Sequence, residues 1–83
     1  MTLQTSQQKM CFALNNPIRC WIIELLKSNS ALSSHDLSNL LHISLGKCHY
    51  HLDNLTDLVK QDHENRYFLS KEGLKAFHLL VQT

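Results

Sequence analysis

The stretch "SLGKCHYHLDNL", residues 44 to 55, gathers a serine, a lysine, a cysteine, two histidines and a tyrosine within one short segment. Three kinds of chemistry use such residues. A zinc site needs three or four Cys, His or carboxylate ligands that converge on one point. His49 and His51 stand two apart, a spacing that diverges around a helix, no cysteine pair accompanies them, and the distant His78 leaves the set incomplete. Nucleophilic catalysis by Cys48 needs a base within hydrogen-bond reach, which adjacency to His49 in sequence does not supply, and 83 residues leave little room for a closed pocket. No metal, no cofactor and no enzymatic activity are therefore expected. The third use is a helix face that turns a lysine and imidazoles toward a negatively charged partner.

The elements that must hold this face follow from apolar spacing. Cys11, Leu14, Ile18, Trp21, Ile22, Leu25 and Leu26 recur at three- and four-residue steps and describe a helical stripe. Asn16-Pro17 interrupts it, because proline suits a first helical position and asparagine caps one. The segment thus divides into a short helix before Asn16 and a longer one over 17–27, and Trp21 is expected in the core. "KSNSALSS" reads as a turn. Ser33 and Asp36 have the spacing of a capping box at the start of a two-turn helix with Leu37, Leu40 and Leu41 inward. After the connection at 42–44 a second serine-started helix packs Cys48, Leu52 and Leu55, with Ile43 as a plug in the turn. From Val59 the pattern alternates, then "HEN" and "RYFL" complete a two-stranded hairpin, and Ser70 caps a last helix with Leu74, Phe77, Leu80 and Val81 on one side. The fold class is mainly α with a small two-stranded β hairpin. Residues 1–9 read as a flexible arm and 10–83 as a single domain.

Bulk composition narrows the partners only a little. Apolar residues make up 43% of the chain and the net charge is +1, too small to announce a nucleic acid or a membrane. The odd, scattered Cys11, Cys20 and Cys48 fit a reduced, intracellular and thus cytoplasmic chain, and no apolar run approaches the roughly 20 residues of a membrane span. The polar start "MTLQTSQQK" is unlike a secretory leader.

The run "NPIRCWIIELLKSNSALSSHDLSNLLHISLGKCHYHLDNL", followed by "NRYFLSKEG", resembles winged helix-turn-helix transcriptional regulators of the ArsR type and their archaeal and viral relatives. The matching residues are Asn16, Pro17 and Arg19 at a helix start, Ile43 and Ser44 in the turn, His51 and Leu52 near the end of the recognition helix, and 67–73 closing the wing. The family usually places a glycine between recognition helix and wing, and "TDLVKQD" has none.

The resemblance implies a DNA-binding regulator whose second helix enters the major groove of duplex DNA. Ser44, Leu45, Lys47, His49, Tyr50 and His51 on that helix, with Lys60 and Arg66 at the wing, are the expected DNA contacts. Against three of these stands a plainer role: an ordinary cap for Ser44, a solvated lysine for Lys47, a brace for the second helix at His51. Cys48 is expected to pack. Gly46, lacking a side chain, could allow close approach to DNA or to the preceding helix. The resemblance also implies a homodimer through the terminal helices, with Phe12, Leu74, Phe77, Leu80 and Val81 at the interface. Repression by promoter occupancy is favoured, since the chain has no room for a large activation domain, and no small-molecule effector is identifiable. The alternative is a winged-helix protein-interaction module with weak DNA contact, which an apolar patch around Leu45 and Tyr50 would favour.

Overall fold

Asn16 opens the first helix, α1 (Pro17–Asn29), by accepting a 2.9 Å hydrogen bond from the Ile18 N–H on its side-chain oxygen. The structure is a computed structural model that describes residues 16–81, with side chains to Leu79. The expected N-terminal arm, the short helix before Asn16, Phe12 and the side chains of Leu80 and Val81 lie outside the described residues. α1 runs two residues beyond the expected end and stops where Ser30 adopts a φ of 67°. Its buried residues are Ile22, Ile23 and Leu26. Trp21, expected in the core, is instead 51% exposed. Successive helical residues turn by about 100°, so a core face centred between Ile22, Leu26 and Ile23 leaves Trp21 on the far side.

The segment expected to be only a turn contains a strand, β1 (Leu32–Ser33). It pairs antiparallel with the later strand β3, Leu32 opposite Tyr67 and Ser33 opposite Arg66. The expected two-stranded hairpin is therefore a three-stranded sheet of order β1-β3-β2. Two residues are too few to show a period of two, which is why the sequence pattern missed this strand.

α2 (Ser34–Leu41) starts on the expected capping box: the Ser33 hydroxyl accepts from the Asp36 N–H and the Asp36 carboxylate from the Ser33 N–H. It ends at His42, whose left-handed backbone (φ 57°, ψ 44°) reverses the chain. Ser44 then caps α3 (Leu45–Asp53). The link to the wing consists of helical turns, with the Leu55, Leu58 and Val59 N–H groups bonded to carbonyls three or four residues back. No residue of that link has a positive φ. Hence it closes without the glycine that the resemblance led one to expect there.

The wing is β2 (Val59–Gln61) against β3 (Arg66–Leu69), with Val59 opposite Leu69 and Lys60 opposite Phe68. α4 (Lys71–Val81) follows directly. Ser70 caps it by accepting from the Gly73 N–H while its hydroxyl donates to the Asp57 carbonyl at 2.7 Å. A side chain at Gly73 would strike the Leu58 carbonyl oxygen, so glycine there lets α4 lie on the link. Residues from α1, α2, α3, the link, both wing strands and α4 meet in one core around Ile22, Leu26, Leu37, Leu52 and Leu55. The architecture is that of a winged helix-turn-helix.

Candidate nucleic-acid interface

α3 is held by its inward side. Cys48 is fully buried and its thiol approaches the Ser34 carbonyl at 3.6 Å, latching α3 to the start of α2. Burial pushes that thiol up from its ordinary pKa, away from the thiolate that reacts or binds metal. Leu52 and Leu55 continue the packed side. With these turned in, helical periodicity turns Leu45, Gly46, Lys47, His49 and Tyr50 out, and all five are exposed. Nothing lies within 4 Å of a side chain built at Gly46, so close packing against α2 is not the reason for this glycine.

Ser44 sits exposed at the N-terminus of α3, its hydroxyl oxygen accepting from the Lys47 N–H at 3.1 Å. Its hydroxyl proton and the free N–H groups of the first turn remain able to donate to an anion. Tyr50 is 59% exposed.

His51 departs from the expected phosphate contact. It is 3% exposed, and its Nδ1 accepts a 3.1 Å hydrogen bond from Arg19 Nε of α1. An accepting Nδ1 places the proton of a neutral imidazole on Nε2, which is buried without a partner among the described residues. Burial first, and then the charges of Arg19 and Lys47, hold this imidazole below the usual histidine pKa. His51 thus ties α3 to Arg19 on α1.

At the wing, Lys60 is exposed on β2. Arg66 is exposed as well, but its Nε pairs with Asp62 at 3.2 Å and its Nη2 with Glu64 at 2.8 Å. Asp62 also accepts from the backbone N–H groups of Arg66 and Glu64, and the first of these does most to keep its carboxyl below the ordinary range. The hairpin tip is thereby a closed carboxylate and arginine knot, with Asn65 turning the chain at φ 63°. Sequence spacing shows Arg66 as a basic residue but not that two acids bind it. Of the eight residues expected at DNA, seven are exposed and His51 is not.

Among the expected dimer residues, Leu74 is 40% exposed, and Phe77 packs partly against the core with the Lys27 ammonium 5.5 Å above its ring. A cleft of 430 Å³ lies between α1 and α2, flanked by Trp21 and Leu40, which are both about half exposed. Among the described residues no group of three or more His, Cys, Asp or Glu is placed to hold a metal ion, and no helix is long and apolar enough to cross a membrane.

Residues 16–58 match the model of a family described as winged helix-turn-helix DNA-binding. No curated protein matches the chain. Among solved structures, the YusO protein from Bacillus subtilis is similar with a TM-score of 0.75 at 15% identity, over 92% of this chain and 62% of that one. A MarR family protein from Bacillus stearothermophilus is similar with a TM-score of 0.74 at 18% identity, over 92% of this chain and 61% of that one. The chain therefore spans about three fifths of the length of either structure. At such identities the likeness is one of fold. Together these matches show a winged helix-turn-helix DNA-binding family with a fold shared with a MarR family protein, and they do not single out the ArsR type.

Proposed function

Because the chain belongs to the winged helix-turn-helix DNA-binding family, we propose that it binds duplex DNA through α3 as a homodimer and represses transcription by occupying a promoter. The observation that carries this reading is the exposed face of α3: Ser44, Leu45, Lys47, His49 and Tyr50 protrude together, and residues 44–52 contain no acid. Lys47 suits guanine O6 or N7 or a phosphate, and Ser44 suits a phosphate at the helix start. Lys60 supplies a flanking backbone contact, and Arg66 adds one when a phosphate displaces its carboxylates. His51 acts from behind the helix. Leu74, exposed on α4, is assigned to the surface for a second copy, where the sequence also leads one to expect Phe12, Phe77, Leu80 and Val81; such a dimer would set two recognition helices about one DNA turn apart. The Asn16-Pro17-Arg19 start and the His51-Leu52 pair support a place near the ArsR-type regulators within the wider group.

The test is fluorescence anisotropy with random duplexes and with DNA from the protein's own gene neighbourhood, at several salt concentrations. Tight, salt-dependent binding to one fragment that weakens in Lys47→Ala is expected. No binding to either class of DNA at low salt would remove the reading. The protein-interaction alternative rests on two observations, the exposed Leu45 and Tyr50 side chains on α3 and the cleft between α1 and α2 flanked by Trp21 and Leu40. It gains ground if DNA is not bound.

A further inference from the structure

We propose that Arg19, on α1 and outside the helix-turn-helix itself, contacts a phosphate of the DNA backbone beside the recognition helix. This rests on the DNA-binding reading and adds a contact that the recognition helix and wing do not contain. The chain has two arginines, Arg19 and Arg66. Arg66 is the one that sequence position recommends, yet its guanidinium is already held by Asp62 and Glu64. Arg19 has no carboxylate partner among the described residues. Its Nε is spent on His51 Nδ1, and its guanidinium carbon lies 5.7 Å from the centre of the Tyr50 ring.

Three physical points follow from this geometry. An arginine has five N–H donors in a fixed plane, so one donated to His51 leaves the two terminal NH2 groups for a planar acceptor such as a phosphate. His51 and Tyr50 hold the guanidinium from two directions, which removes rotamer freedom before any ligand arrives and lowers the entropy cost of a contact. Tyr50 lies on the exposed face of α3 that is proposed to meet DNA, so the half-buried Arg19 stands at the edge of that face. The buried imidazole thus has a second purpose: as a neutral acceptor it orients Arg19, and a full positive charge remains for the backbone.

The contact is measured through the salt dependence of duplex binding for the wild type, Arg19→Met and His51→Gln, with each variant's fold checked by circular dichroism. Loss of one phosphate contact per protomer, two in the proposed dimer, should flatten the slope of log K against log salt by about 1.8 and weaken binding about sixtyfold near 0.1 M salt, to a similar degree for every duplex. His51→Gln should weaken binding with the slope kept, since the charge remains. A folded Arg19→Met with an unchanged slope overturns the contact and leaves Arg19 only a brace. If the wild type itself shows no salt-dependent binding, the DNA-binding reading fails and this contact with it. A second measurement needs no variant: phenylglyoxal modification of the wild type, read by peptide mass, reports the two arginines separately. Protection of Arg19 by duplex at low salt and its loss at high salt is expected; equal modification with and without duplex overturns the proposal.

Discussion

At the scale of single residues, His51 couples the recognition helix to proton concentration. Its imidazole is held low by burial and by the Arg19 and Lys47 charges. The unfolded chain, with an ordinary pKa of about 6.5, takes up a proton that the folded chain refuses. Stability from this site is therefore full above about pH 6.5 and is lost as the pH falls through the window below it. The expected result is a Tm for the wild type that drops between about pH 7.5 and about pH 5.5, with a smaller drop in His51→Gln. An equal drop in the two proteins would assign the proton uptake to other groups. Asp62 is also shifted downward, chiefly by the Arg66 backbone N–H, so its contribution too is lost on acidification but in a separate window, being present above about pH 3.9 and removed only by stronger acid. Lys47, exposed in the middle of the same helix face, should be silent in stability. Lys47→Ala is expected to change the Tm hardly at all while costing about 1–3 kcal/mol in binding if it reads a guanine, and less if it meets a phosphate.

At the scale of elements, the two glycines separate packing from access. Gly73 has the Leu58 carbonyl against it, so Gly73→Ala forces α4 away from the link and should destabilise by about 1–3 kcal/mol in urea denaturation. Gly46 faces open space near the start of α3. Gly46→Ala should stabilise the fold by up to about 1 kcal/mol through helix propensity. If α3 approaches DNA closely there, the same variant should bind duplex less tightly, an outcome in which stability and affinity move in opposite directions. Unchanged affinity would show that the groove leaves room at this position. The capping box at the start of α2 and the single cap at the start of α3 satisfy helix N–H groups through Ser33, Asp36 and Ser44 by the geometry their spacing requires.

At the scale of the whole molecule, a small domain leaves apolar surface that its own core does not cover. Leu74 on α4 is such a residue. In the proposed homodimer it meets a second copy, and Leu74→Glu should convert a dimer into a monomer in light scattering after size exclusion, with loss of duplex affinity as the two half-sites uncouple. A wild type that is monomeric at all concentrations would sink the dimer. Trp21 and Leu40 form a separate apolar feature between α1 and α2, and the Leu74 test is blind to it by design, since α4 does not line that cleft.

Local rules in the chain were sufficient for much of this. Asn16-Pro17, the Ser33 and Asp36 pair, Ser44 and Ser70 marked helix starts because caps act over three or four residues, a range that sequence spacing records. The inward positions of Cys48, Leu52 and Leu55 followed from helical period, and with them the outward face at Lys47, His49 and Tyr50. What the sequence alone left open depended on residues far apart in the chain. β1 exists because β3 lies beside it. Trp21 is exposed because the core lies on the other side of α1, a choice between faces that the stripe could not make. His51 is buried and Arg66 is neutralised by neighbours that only folding brings together, in one case across 32 residues of chain and in the other at a turn closed around Asp62. Helix period assigns a direction to each side chain, but which charge is free for a ligand is decided by the partners that tertiary packing supplies.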